Sequence, residues 1–149
     1  MTRSAGFVRS MLVPVVVSAC NLNDFDSNIG PETMEGTVYT LSQVNAKNLP
    51  VTVTEGNLTY QIQQGKLTLA DSTWLVSFVI YQTASGSQQR SVTSQVGAYR
   101  KPVAPATALK LTTTADTATA VFSGTYSTTA VDILDVSVDQ GLRFVFIRP

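Results

Sequence analysis

From Gly36 to the C-terminus, hydrophobic residues recur at every second position, and nowhere does a 3.6-residue period run long enough to form a helix that covers a sheet. An alternating strand presents one apolar face and one polar face, so a chain of such segments must bury sheet against sheet. Tyr39 and Leu41 share a face of residues 37–42; Leu58, Tyr60 and Ile62 alternate with Thr59, Gln61 and Gln63; Leu67 and Leu69 alternate with Lys66 and Thr68. Trp74, Val76, Phe78 and Ile80 share the next face, then Val92, Val96 and Ala98, then Leu109 and Leu111. Ala118, Ala120, Phe122 and Tyr126 follow, and Leu142, Phe144 and Phe146 close the series. Threonine is frequent at the polar phases, where β-branched side chains suit a pleated surface.

Turn residues punctuate these runs: Asn45-Ala46-Lys47-Asn48, Glu55-Gly56-Asn57, Gln64-Gly65, Ala70-Asp71-Ser72, Ser85-Gly86-Ser87, Thr114-Ala115-Asp116 and Asp139-Gln140-Gly141. Short strands at roughly 8–12-residue spacing predict an all-β sandwich or barrel. Pro102 and Pro105 mark one longer connection, because proline has no N–H for a central ladder. Eight or nine antiparallel strands without a covering helix lose their exposed edges most simply by closing. The predicted fold is therefore a small antiparallel up-and-down β-barrel of about eight strands, with a two-sheet β-sandwich as the alternative. Two segments break the simple alternation. In residues 74–81 the second face, with Leu75, Val79 and Tyr81, is also apolar, which points to cover by a partner or by the proline-rich connection. In residues 131–138 the apolar phase shifts between Ile133 and Leu134, which predicts a β-bulge there.

The N-terminus reads differently. Arg3 and Arg9 precede a short apolar run over residues 11–17, broken by Pro14 and followed by small residues. The run falls short of the ~20 apolar residues of a membrane-spanning helix, yet it suits a cleaved export signal. Val17-Ser18-Ala19-Cys20 resembles the lipobox of bacterial lipoproteins, in which an aliphatic and two small residues precede the cysteine that receives lipid. That resemblance implies cleavage before Cys20 and a membrane partner reached through the N-terminal lipid. Asn21 stands where an aspartate favours inner-membrane retention in lipoproteins of enteric bacteria, so the outer membrane's periplasmic face is favoured over the inner membrane. Residues 20–35 then form a tether: Asp24, Asp26, Glu32, Glu35 and Gly30-Pro31 give it a solvated, flexible composition. Residues 36–149 form the folded body.

Composition narrows the chemistry. With 10 Lys+Arg, 10 Asp+Glu and no histidine, the chain has no basic surplus for nucleic acid and lacks the commonest general base and metal ligand. Its single cysteine excludes an internal disulfide or a multi-thiolate zinc site. Asp132, Asp135 and Asp139 are close in sequence, but Asp132 and Asp135 fall on opposite strand faces unless a bulge intervenes, and Asp139 suits a turn. Serines have only Lys66, Lys101 and Lys110 as prospective bases, and none has an accompanying motif. A non-enzymatic protein without cofactor or metal is expected.

Gly36-Thr37-Val38-Tyr39-Thr40-Leu41, then Val44-Asn45 and Leu49-Pro50, resemble the opening of a family of short bacterial lipoproteins described as lipocalin-like. Gly65-Lys66-Leu67-Thr68-Leu69 and Leu142-Arg143-Phe144-Val145-Phe146 fit the same layout. Ala46 stands where that family's turn usually has glycine. The resemblance implies a lipocalin-like barrel and transfers no individual binding residue. An eight-stranded barrel is either filled by side chains or holds one small ligand. Tyr39, Tyr60, Trp74, Phe78, Phe122, Tyr126 and Phe144 are the residues expected inside, with Phe146, as core or as the lining of a small apolar ligand's site. Arg143 or Arg148 is expected to close the barrel by stacking over a ring such as Trp74. The alternative function is an envelope interaction or structural module, a barrel-type protease inhibitor included, acting through its rims and the Leu75–Val79 face.

Overall fold

The computed structural model describes residues 34–84 and 86–149; the export signal, Cys20 and the tether up to residue 33 lie outside the described residues. Every regular element in the described part is a strand: β1 (Thr37–Val44), β2 (Lys47–Asn48), β3 (Val51–Glu55), β4 (Leu58–Leu69), β5 (Thr73–Ala84), β6 (Ser87–Tyr99), β7 (Ala108–Thr112), β8 (Ala120–Tyr126), β9 (Ala130–Asp135) and β10 (Arg143–Ile147). Each pairs antiparallel with its neighbours in the order β2-β1-β10-β9-β8-β7-β6-β5-β4-β3, and a β1–β4 ladder joins the ends. The result is a closed eight-stranded, up-and-down, lipocalin-like barrel with two extra strands.

Those extra strands occupy the place where β1 and β4 part. The N-terminal half of β1 pairs with the end of β4, from Thr37 opposite Leu69 to Thr40 opposite Lys66. Further along, the same edge of β1 takes β2, and the same edge of β4 takes β3. The register slips at each branch point, between Leu41 and Gln43 in β1 and between Ile62 and Gln64 in β4. Bulges bend a strand and raise its twist, which lets one ladder divide into two.

This geometry corrects two sequence expectations. Gln64-Gly65 is not a turn but part of the continuous twelve-residue strand β4. Pairing with β5, Gln64 opposite Val79 and Gly65 opposite Phe78, carries the chain through it, while the space a side chain at 65 would need is taken by Leu41 and Phe78. The bulge expected at Ile133/Leu134 is also absent: β9 keeps unbroken register with β8 and β10, and its phase shift resolves as an outward Leu134 at 42 % exposure.

Alternation otherwise translates into burial. Tyr39, Leu41, Tyr60, Ile62, Leu67, Trp74, Val76, Phe78, Ile80, Leu109, Leu111, Phe122, Phe144 and Phe146 form one core. β6 is the exception. Its pairing with β5 sets Gly97, Gln95 and Thr93 opposite the inward Trp74, Val76 and Phe78, so Val92 and Val96 point outward. Large rings on β5 need small or slender neighbours, and this requirement overrides β6's own apolar phase.

The weakest joint in the wall is β6–β7, where register is held by two pairs, Ala98 with Thr112 and Tyr99 with Leu111. Trp74 reinforces it: its indole N–H is shared between the carbonyls of Thr112, at 2.9 Å, and Ala98, at 3.1 Å. The Thr112 hydroxyl adds a bond to Ala98 O at 3.0 Å. Gly97 permits this approach, since a Cβ there would lie 1.9 Å from Thr112 O and 2.7 Å from the indole.

Candidate functional site

The aromatic residues expected inside the barrel separate into two groups. Tyr60, Trp74, Phe78, Phe122 and Phe144 are each 1 % exposed or less. Trp74 packs edge-on to Phe122 at 5.6 Å between centroids, Phe122 meets Phe144 at 6.3 Å, and Phe144 lies 4.9 Å from Phe78. Phe146 joins both Phe78 and Phe144 at 6.3 Å. Offset and edge-on pairs of this kind contribute about 0.5–1.5 kcal/mol each beyond simple burial. A ring bordering a water-sized void would retain accessible surface, and these rings retain almost none. They fill the space around one another.

Tyr126, half-buried, stands apart from these rings, and Tyr39, 0 % exposed like the first group, packs beside it with only its edge toward the mouth. They sit at the mouth where β1 begins and β4 ends, their rings edge-on at 6.4 Å and 71°. With Tyr99 they line an open cleft of about 220 Å³. Gly36, Thr37 and Leu69 form part of its wall, and Ala70, Asp71 and Lys101 the remainder. Three connections thus supply the site: the entry to β1, the β4–β5 turn and the start of the β6–β7 connection. Gly36 is needed for this assembly, because its φ is +154° and a Cβ would press to 2.6 Å from Leu69 O.

Hydrogen bonds fix the tyrosines. The Tyr39 hydroxyl donates to Ser127 O at 3.3 Å, across from β1 to the β8–β9 turn. Tyr99 donates its hydroxyl to Ala70 O and its backbone N–H to Ser72 O, the latter at 3.0 Å, so the β4–β5 turn is held twice. Burial raises the Tyr39 pKa well above the usual phenol value, and the neighbouring Tyr126 adds to the rise by hydrogen bonding and charge; Arg148 opposes it. Tyr99 is shifted in the same direction, first by burial and then by Tyr126 and Asp71. Both phenols therefore stay protonated at neutral pH and keep their bonds to Ser127 O and Ala70 O. The rim adds an ammonium from Lys101 and a carboxylate from Asp71, both on exposed residues.

The remaining sequence candidates have other positions. Asp132 faces outward and takes a forked pair of bonds from Arg143, 2.8 Å from Nε and 2.5 Å from the terminal nitrogen. This pairing pulls the Asp132 pKa below the usual aspartate value. Arg143 is therefore not the ring-stacking plug the sequence suggested: its β10 position alternates with Phe144 and points away from the barrel interior. Asp135 faces inward, 4 % exposed, and accepts bonds from the N–H and hydroxyl of Ser137 at 2.9 and 2.5 Å. The two carboxylates lie on opposite faces of β9. Among the described residues no three His, Cys, Asp or Glu side chains come together as a metal site would require.

Asp71, Tyr99 and Lys101 were not among the sequence candidates. Each adjoins a turn or strand end, and only barrel closure brings them beside Tyr39 and Tyr126. The available cue was Tyr99, an aromatic placed immediately before the Arg100-Lys101-Pro102 break. Across protein-family models, curated proteins and solved structures, nothing matches this chain.

Proposed function

We propose that this chain is a non-catalytic barrel of the cell envelope, held to the membrane by lipid on Cys20, that takes a small ligand at the mouth of the barrel. The observation that carries the ligand site is the contrast between a ring-filled interior and an open cleft of about 220 Å³ among Tyr39, Tyr99 and Tyr126. Pockets for drug-sized ligands span roughly 300–1,000 Å³. A smaller cleft fits a single ring, or the terminal group of a longer molecule. The half-buried rings of Tyr99 and Tyr126 suit an apolar or ring surface, while Lys101, Asp71 and the phenol oxygens as acceptors suit hydrogen-bonding or ionic groups around it. The ligand class is thus a small amphipathic molecule, not a long apolar chain threaded through the interior.

Anchoring is supported by Val17-Ser18-Ala19-Cys20 and the acidic stretch that follows it. Two or more acyl chains make membrane attachment stable where one is marginal, and the outer membrane's periplasmic face is the expected address. Native mass spectrometry of protein extracted from membranes tests both parts. The expected spectrum carries a diacyl or triacyl mass on a chain beginning at Cys20, together with a small bound molecule that Lys101→Ala and Tyr99→Phe release. A lipid-free chain would contradict the anchor, and a chain with no bound molecule under gentle conditions would contradict the ligand site.

A further inference from the structure

Closure of the barrel leaves a long strand edge open. β6 pairs with β5 throughout, from Ser87 opposite Ala84 to Ala98 opposite Thr73, but β7 takes its other edge only at Ala98 and Tyr99. From Ser87 to Gly97 that edge has no ladder partner among the described residues. The Tyr99 N–H bonds to Ser72 O on the β5 side, and bonding direction alternates from residue to residue along a strand. Unbroken register then turns the backbone N–H and C=O of Gln88, Val92, Ser94 and Val96 away from β5, toward the open side. The connection after β7 does not extend the ladder, because it folds on itself. The Asp116 carboxylate accepts the N–H groups of Ala118 and Thr119 at 2.9 and 3.2 Å, Lys110 bonds to Ala118 O, and residues 114–119 are exposed. Natural edge strands are guarded by shortness, charge or proline. Residues 87–97 contain no proline and one charged side chain, Arg90. On the inner face of this stretch, opposite Ile80 and Val76, Ser91 Oγ and Gln95 Oε1 are buried without a hydrogen-bond partner among the described residues.

We propose that the open edge of β6 is a dimer interface, at which it pairs antiparallel with β6 of a second copy about a two-fold axis through Val92. Three observations select a second copy. The open stretch is its own complement: Val92 is the midpoint of residues 87–97, so a two-fold there pairs the edge from end to end, over about 37 Å. Val92 then faces Val92 and Gln88 faces Val96, each directing its N–H and C=O at the other. The residues between them form the closer, non-hydrogen-bonded pairs of such a ladder. These set Gln89 opposite Gln95 and Ser91 opposite Thr93, so the exposed Gln89 amide donates to Gln95 Oε1 and the Ser91 hydroxyl meets that of Thr93. Both buried oxygens thereby gain partners. No like charges oppose one another, since Arg90 falls opposite Ser94. The two barrels would share one continuous sheet across the axis. This inference depends neither on the cleft's ligand nor on the lipid anchor.

Sedimentation equilibrium of the full chain in mild detergent tests the interface, and a dimer is expected. Val92→Lys and Val92→Glu each set like charges directly opposite across the axis, and each should raise the dimer's dissociation constant about tenfold. Mixing the two variants sets opposite charges there and should restore the dimer. Val103→Lys, the same charge at an exposed position in the β6–β7 connection, should leave it unchanged. Near-ultraviolet circular dichroism from Trp74 verifies that each variant is folded. A wild-type chain that stays monomeric, a dimer indifferent to both charges at Val92, an equal loss in Val103→Lys, or a mixture no more dimeric than its components would each overturn the proposal.

Discussion

The Trp74 indole nitrogen lies 2.9 Å from the carbonyl oxygen of Thr112, so a core ring of β5 fastens β7 across the β6–β7 seam. With backbone register there confined to two residue pairs, this bond and the Thr112 hydroxyl's bond to Ala98 O maintain closure of the wall.

Trp74→Phe would keep an aromatic ring but leave Thr112 O with one donor fewer and a gap beside it. The expected loss of stability is about 2–4 kcal/mol. Gly97→Ala forces a methyl to 1.9 Å from Thr112 O, and about 3 kcal/mol or more should be lost. Urea unfolding monitored by far-ultraviolet circular dichroism measures both. Because the two changes damage one seam, the double variant should lose less than the sum.

The β1–β2 turn contains a correctable strain. Val44 pairs with Lys47, leaving Asn45 and Ala46 as the two central residues, with φ of 50° and 62°. Asparagine tolerates this conformation and its side chain accepts the Arg143 N–H at 2.9 Å, but alanine has no such compensation. Ala46→Gly should stabilise the protein by about 1 kcal/mol. The urea midpoint should rise with its slope unchanged.

Alkaline pH should destabilise the barrel through its mouth. A phenol in the unfolded chain ionises near pH 10, while Tyr39 and Tyr99 ionise higher in the folded protein. Their contribution is complete below pH 10 and is lost as pH rises above it, at up to about 1.4 kcal/mol per pH unit for each phenol. Tyr39→Phe should make the dependence of stability on pH shallower above pH 10 and leave it unchanged at neutral pH. Urea midpoints measured across that range test the sign.

The proposed lipid anchor rests on one sulfur atom, that of Cys20. Cys20→Ser removes the only sulfur that could carry the lipid, and the variant should move from the membrane fraction to the soluble fraction after lysis. Continued membrane attachment would count against the anchor.

The barrel was legible in the sequence because its strands alternate cleanly, and alternation survives wherever one face meets the core and the other meets water. Reading failed where neighbours override local pattern. Gly65 looks like a turn residue but is placed within β4 by packing against Leu41 and Phe78. Val92 and Val96 look like core residues, yet Trp74 and Phe78 leave room inside β6 only for Gly97 and Thr93. The cleft was half legible: Tyr39 and Tyr126 belong to alternating strands, whereas Asp71, Tyr99 and Lys101 reach it from connections whose meeting depends on closure.

Backbone amide NMR during titration with single-ring sugars, short-chain acids and aromatic carboxylates tests the ligand site most directly. A ligand at the mouth predicts shifts concentrated at Gly36, Ala70, Asp71, Tyr99 and Lys101, with Ile62, Ile80 and Ile133 unchanged. Shifts centred on Ile62, Ile80 and Ile133, or no response to any of the three ligand classes, would contradict it.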